Sequence, residues 1–243
     1  MEKPTYKELL DAGVHFGHLK KKWNPKMAPY IFMERKGIHI IDLNRTLECL
    51  DRAANALRQM AKSGKKIMFV ATKKQAREIV ANAARSVGMP YVTDRWLGGM
   101  MTNFTTIRRS VKKMQNIERM LQDGTFSSIT KKERLTLSRE LNKLEKVLGG
   151  IANLNRLPSA IFIVDIQHEH IAVAEAQRLG IRTFGIVDTN SDPNLVDFPI
   201  PGNDDASKSV AIITNYMAEA IRQGLEERKA AKPEKEAAQE AEA

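Results

Sequence analysis

Short apolar runs alternate with amphipathic segments along most of this chain. The runs at 67–71, 91–93, 161–164, 183–187 and 198–200 are continuous rather than alternating, which is typical of strands that are buried on both faces. The segments at about 44–63, 72–87, 168–179 and 206–223 have the spacing of helices, and Thr72 and Gln75 suggest a capping box for the second of them. This alternation predicts an α/β fold, with helices on both faces of a parallel sheet.

The alternation is interrupted between residues 104 and 150. Apolar residues repeat at helical spacing on both sides of Asp123-Gly124, and Thr130 with Glu133 forms a second capping-box pattern. We therefore predict an antiparallel coiled-coil helical hairpin at 104–150, inserted into a discontinuous α/β domain of 1–103 and 151–225. The last segment, 226–243, is rich in Ala, Glu and Lys and is expected to be a flexible acidic tail. The two apolar seams consist of Ile107, Val111, Met114, Ile117 and Leu121, and of Leu137, Leu141, Leu144, Leu148 and Ile151.

The net charge of +10 is concentrated in two places. Residues 17–36 hold six Lys/Arg against one acidic residue, and residues 105–150 hold eleven against five. Such an excess favours a polyanionic partner. The single cysteine, Cys49, excludes an internal disulfide framework and fits a reducing compartment. With no apolar run long enough to cross a bilayer, we expect a cytoplasmic protein without a membrane partner.

Both basic regions combine cations with aromatic rings. The stretch 94–114 contains a tryptophan, two adjacent glycines and then a basic helix, and 14–27 reads as an extended surface segment with a triple lysine and a second tryptophan. Aromatic planes beside cations are typical of RNA binding, and glycines allow close approach of a backbone. The alternatives are a tight loop around a core tryptophan, or merely solvated charge. The predicted RNA-binding residues are Lys20, Lys21, Lys22, Trp23, Asn24, Lys26, Arg95, Trp96, Gly98, Gly99, Thr102, Asn103, Arg108, Arg109, Lys112 and Lys113.

Enzyme motifs are weak by comparison. No glycine-rich phosphate loop follows any predicted strand, but Asp165 and Asp188 end two strands at the edge where open α/β sheets bind ligands. An alternative function is therefore a phosphoacceptor or metal-dependent enzyme that uses these aspartates. A divalent metal ion bound at this edge is a further hypothesis. The simpler alternative is that the aspartates only cap helices and turns. The candidate metal ligands are His18, Asp188, Asp204 and Asp205.

Five stretches together resemble a known family. They are AGVHFGHLKKKWNPKM at 12–27, GIHIIDL at 37–43, DRWLGGMMTNF at 94–104, PSAIFIVD at 158–165 and GIVDTNSDP at 185–193, and the match spans about 5–225. The chain is similar to the bacterial small-subunit ribosomal protein family numbered two. The resemblance implies a flavodoxin-like body with an inserted hairpin and a structural, non-enzymatic role with no required cofactor. The implied partners are small-subunit ribosomal RNA and neighbouring small-subunit proteins, including the large mRNA-binding protein numbered one, and a homo-oligomer is not expected.

Overall fold

The body of the protein is built on a five-stranded parallel sheet. The computed structural model describes residues 3–122 and 130–241. The strand order is β5-β4-β6-β7-β8, and all residues of β4 and β6 are buried. This confirms the parallel sheet and the burial of its central strands on both faces. The strands are β4 (Ile67–Val70), β5 (Tyr91–Val92), β6 (Ala160–Val164), β7 (Arg182–Val187) and β8 (Phe198–Pro201).

Helices cover both faces of this sheet, as the alternation predicts. Helices α2, α3 and α7 pack on one face, where Phe69 and Phe162 lie in the core. Met68 and Ile161, their neighbours in sequence, point to the other face, against α6 and the base of the helical hairpin. The helices are α1 (Tyr6–Asp11), α2 (Leu43–Lys62), α3 (Arg77–Ser86), α4 (Phe104–Gln122), α5 (Lys131–Leu148), α6 (His170–Leu179) and α7 (Ser207–Ala241). Among the described residues, no helix has the length and apolar content needed to cross a bilayer.

A small antiparallel sheet precedes the parallel one and was missing from the sequence-based prediction. It consists of β1 (Phe16–Leu19), β2 (Ile31–Arg35) and β3 (Ile38–Ile41), in the order β1-β3-β2. The segment 14–27, expected to be simply extended, forms β1 and then 3₁₀ turns. These strands are short, and the side chains of β2 are mostly exposed although Ile31, Phe32 and Met33 are apolar, so this sheet is not buried on both faces like the parallel one.

The start of α3 corrects one prediction. The capping box at Thr72 and Gln75 does not form, because the helix begins later, with Ala76 at the N-cap and no side-chain cap. The backbone N–H and the hydroxyl of Thr72 instead donate to Glu169, at 2.7 and 2.5 Å. A long-range contact has replaced the local one.

The interruption at 104–150 is a pair of helices, α4 and α5, that pack against each other. The capping box of Thr130 and Glu133 is present at the start of α5. Val111 and Met114 of α4 are buried with Leu148 in the same core as the sheet, whereas Leu141 is only half-buried. The hairpin is therefore rooted in the body. The proposed turn at Asp123-Gly124 lies outside the described residues, and the division into domains stays a prediction.

Helix α7 extends beyond the predicted boundary at residue 225. Its backbone is helical to Ala241, which includes most of the segment expected to be a flexible tail. Ala, Glu and Lys are strong helix formers. The segment has no residues suited to a core, but its composition still favours continuation of the packed helix that precedes it.

Candidate functional site

The loop between β5 and α4 is organised by one buried carboxylate, that of Glu175 in α6. Its two oxygens accept hydrogen bonds from the indole of Trp96, from the backbone N–H groups of Gly99, Met101 and Thr102, and from the Thr102 hydroxyl, at 2.8–3.1 Å. Burial raises the pKa of Glu175, but these donors outweigh burial and hold the pKa below its ordinary value. An ionised carboxylate therefore sets the shape of the loop.

This arrangement corrects the role expected for Trp96. Its side chain is only 6% exposed and lies in the core, so its ring is not available on the open surface to stack on a base. The alternative of a tight loop around a core tryptophan is the one that forms. Phe104 is also partly buried against that core.

The two glycines of the loop have different environments. Gly99 has φ of +86° and donates its N–H to Glu175, so it makes the sharp turn. Gly98 is exposed, and a Cβ added there would meet nothing within 4 Å. Thr102 and Asn103 are exposed at the start of α4, where the N–H of Asn103 donates to the Gly99 carbonyl.

The cations of this region divide into free and engaged ones. Arg108 donates to the Leu154 carbonyl at 2.8 Å, and Lys113 pairs with Glu140 of α5. These two hold the hairpin to the body and its two helices to each other. Within the described residues, no ion pair or side-chain hydrogen bond is recorded for three exposed side chains, those of Arg95, Arg109 and Lys112.

The triple-lysine segment divides in the same way. Lys20 pairs with Glu34 and Lys26 with Asp192, each at 2.6 Å, whereas Lys21 and Lys22 are exposed and have no ion pair in the described part of the chain. The ring of Trp23 lies 5.1 Å from that of His39 and is 37% exposed.

Asn24 ties this segment to the parallel sheet. Its side chain accepts from the N–H of Lys26, and its N–H donates to the carbonyl of Thr189, just after β7, at 2.7 Å. The loop at 94–103 follows β5. Both basic segments therefore lie at the carboxyl-terminal edge of the parallel sheet.

Between them, at the same edge, Lys73 is surrounded by three aspartates. Its ammonium lies 2.6 Å from Asp165, 2.8 Å from Asp204 and 2.9 Å from Asp205. Burial opposes the charge on Lys73, but Asp204 and the other two aspartates outweigh it and raise the pKa of Lys73. The sequence places the three aspartates at this edge, but it gives no sign of Lys73, which comes from a distant segment.

Both aspartates of the enzyme hypothesis are already engaged. One oxygen of Asp165 accepts the N–H groups of Gln167 and His168, and the other contacts Lys73. Asp188 is 1% exposed and accepts from Thr189. Neither carboxylate is presented to a substrate, so the geometry gives the enzyme hypothesis no support.

Three of the four candidate metal ligands come together. His18, Asp188 and Asp204 each offer a ligand atom, and these atoms lie within 4.8 Å of one another. The hydrogen bond to Asp188 raises the pKa of His18, while burial and the neighbouring charges of Asp165 and Asp188 raise the pKa of Asp204 to about 7. The fourth, Asp205, instead faces Lys73 and lies 3.5 Å from His18.

Comparison with known proteins agrees with the resemblance noted in the sequence. The family model described as ribosomal protein S2 matches residues 9–224. Relatives named small ribosomal subunit protein uS2 include that of Cytophaga hutchinsonii, 64% identical over 94% of this chain and 90% of the relative. Those of Parabacteroides distasonis and Bacteroides thetaiotaomicron are 60% and 61% identical, each over 99% of this chain and 87% of the relative. The chain therefore belongs to the ribosomal protein S2 family, whose members are structural, non-enzymatic proteins of the small ribosomal subunit.

Proposed function

We propose that this protein binds small-subunit ribosomal RNA in the bacterial cytoplasm, through the two basic segments at the carboxyl-terminal edge of its sheet. The observation that carries the proposal is that, within these two segments, several exposed cations have no protein partner among the described residues. A cation that no carboxylate neutralises is available to a phosphate, and its neutralisation of a phosphate releases counterions from the RNA. These cations are Lys21, Lys22, Arg95, Arg109 and Lys112.

The division into free and engaged cations separates the predicted RNA-binding cations into two groups. Lys20, Lys26 and Lys113 are held by carboxylates, and Arg108 by a backbone carbonyl. We propose that these four shape the surface, while the five free cations contact phosphates. Trp23, exposed by about a third, is the ring that remains for stacking.

A salt titration tests this proposal. Five phosphate contacts give a plot of log affinity against log salt a slope of about −4 for binding to a small-subunit RNA fragment. Replacing Arg109 and Lys112 by alanine should reduce the steepness by about two. Replacing Lys65 and Arg178, which are exposed on the opposite edge, should leave it unchanged. A flat salt dependence in the native protein contradicts the proposal.

We further propose that an apolar groove on the small sheet docks the large mRNA-binding ribosomal protein numbered one. The groove has a volume of about 350 Å³ and is lined by Phe16, Phe32 and Met33 with residues of α1. Phe32 is 68% exposed and Phe16 48%, and a contiguous exposed apolar surface is typical of a protein interface.

Substitution of the exposed ring tests this docking. Phe32→Ser should leave incorporation into the small subunit intact and lower the amount of the protein numbered one that co-sediments with it. Leu195→Ser, at an exposed apolar residue outside the groove, is the control. Equal co-sedimentation in both variants would contradict this assignment.

The ligand group of His18, Asp188 and Asp204 supports a bound divalent cation. Asp204 is fully buried, and one of its carboxylate oxygens, Oδ2, has no hydrogen-bond partner, which is the environment that a cation would satisfy. Imidazole and carboxylate are zinc-type ligands.

We propose that Zn²⁺ binds here and displaces the protons held by His18 and Asp204, so that the affinity of the protein for Zn²⁺ rises with pH. Calorimetric titration of the protein with Zn²⁺ should lose the binding heat in His18→Ala.

A further inference from the structure

A crevice opens beside the loop at 94–103, above the carboxyl ends of β4, β5 and β6. The segments that follow these three strands line it, within 72–77, 94–96 and 168–171, and its volume is about 640 Å³. Strands β5 and β6 lie on opposite sides of β4, so the chain leaves β4 in one direction and later returns on the other side. Crevices at such a reversal of strand order are where open α/β sheets bind their ligands.

The walls of the crevice are held by hydrogen bonds. Thr72 is bound to Glu169, and Arg77 donates to the Thr72 carbonyl at 2.8 Å and to the Asp94 carboxylate at 3.2 Å. The indole of Trp96 is fixed by Glu175. The cavity is therefore formed before any ligand arrives, and the two acidic residues that line it already accept hydrogen bonds from the protein.

The remaining donors on the walls have no such partners. Lys74, Arg95 and His168 are exposed, and within residues 3–122 and 130–241 no ion pair or side-chain hydrogen bond is recorded for them. Three nitrogen-bearing side chains thus surround a preformed cavity whose own carboxylates are engaged. Phosphate is the group that suits them, since it accepts several hydrogen bonds and carries charge. Ile171, 43% exposed, adds an apolar surface for a sugar or base.

We propose that this crevice binds one phosphorylated nucleoside unit, with the phosphate at Lys74, Arg95 and His168. The unit is supplied either by the backbone of the ribosomal RNA or by a free nucleotide. The first source rests on the proposed function and extends the RNA surface to two residues, Lys74 and His168, outside both basic segments. The second source is independent of that function.

Adenosine monophosphate is the probe for the crevice itself. In full-length Trp23→Phe protein, Trp96 is the remaining tryptophan and lines the cavity. Titration at low salt should change its fluorescence saturably. Adding Lys74→Ala and Arg95→Ala should weaken this binding at least tenfold. The control pair, Lys65→Ala with Arg178→Ala, should not alter it, since both side chains are exposed elsewhere.

A small-subunit RNA fragment is the second probe, used with Trp23 intact. If RNA supplies the phosphate, a Lys74→Ala, His168→Ala double variant, which leaves Arg95 in place, has a salt slope shallower by about one, and RNA displaces adenosine monophosphate from the native protein. If a free nucleotide supplies it, adenosine monophosphate binds equally in the presence of RNA, and the RNA slope matches that of the control pair.

Both arms together decide the proposal. It is overturned if adenosine monophosphate produces no fluorescence change that Lys74→Ala with Arg95→Ala removes, and the Lys74→Ala, His168→Ala variant also binds RNA like the control pair. If the native protein fails to bind RNA at all, the RNA-binding function is lost, and the fluorescence titration alone then decides whether the crevice binds a nucleotide. Circular dichroism of each variant verifies that these surface substitutions leave the fold intact.

Discussion

Gly98 and Gly99 are sequence neighbours under opposite constraints. A side chain at Gly99 would hold a left-handed conformation and bring its Cβ to 3.2 Å from that of Asn103, whereas a Cβ at Gly98 meets open space. The sequence offers two roles for this pair, a sharp turn and close approach to RNA, and the structure assigns the turn to Gly99. Only Gly98 remains available for the second role.

Alanine substitutions separate these roles. Gly99→Ala should lower the free energy of unfolding by about 1–2 kcal/mol, because of the left-handed backbone. Gly98→Ala should leave stability unchanged and lower affinity for a small-subunit RNA fragment about tenfold, because the methyl group separates the two backbones. Urea unfolding and RNA titration measure the two effects, and undiminished RNA affinity in Gly98→Ala would leave this glycine without the proposed contact.

Glu175 is the other decisive single residue. Five donors favour its ionised form, so its pKa in the folded protein lies below the ordinary value of 4.5. Its contribution is therefore complete above about pH 4.5 and is lost as the pH falls through the lower folded value. Glu175→Gln, which places an amide among N–H donors, should cost roughly 2–3 kcal/mol at pH 7. Unfolding followed between pH 3 and 7 should be less pH-dependent in the variant, and an identical pH dependence would contradict this role.

Among the helices and strands, those that bury a continuous apolar surface are the ones that the sequence predicts well. The pattern at 67–71 predicts β4 because all its residues are buried, whereas β2 escapes prediction because its side chains are mostly exposed. The same distinction holds for the site. Lys21 and Arg95 are recognisable from local charge, but Glu175 and Lys73 act through partners that are distant in sequence, and no local pattern contains those distances.

The contact between α2 and α7 provides a test at this scale. A Cβ at Gly224 of α7 would lie 2.3 Å from the Arg58 carbonyl of α2, so the helices pack backbone against backbone there. Gly224→Ala gains helix propensity but must push the helices apart, and we expect a net loss of about 1–3 kcal/mol. Glu226→Ala, at an exposed position of α7, is the control. Thermal unfolding measures the change in stability, and a higher melting temperature for Gly224→Ala would refute this close packing.

On the scale of the whole molecule, the hairpin has two parts, a base that packs on the body and an outer part beyond it. Its base shares the core of the sheet, and the ion pair of Lys113 with Glu140 joins its two helices. Replacing residues 118–135 by a short Gly-Ser turn should leave the melting temperature within a few degrees. The shortened protein should also retain the RNA contacts of Arg109 and Lys112, and therefore most of its affinity for RNA. A collapse of stability would show that the outer hairpin belongs to the folding unit.

The position of β4 also has a consequence for synthesis of the chain. One edge of this strand pairs with β5 soon after both have emerged, but the other edge waits for β6, since Ile67 pairs with Ala160. Until then a growing chain presents a bare apolar strand, the kind of surface that attracts chaperones and aggregates. Nascent chains arrested before residue 160 should therefore stay bound to chaperones, and those extended past β8 should be released.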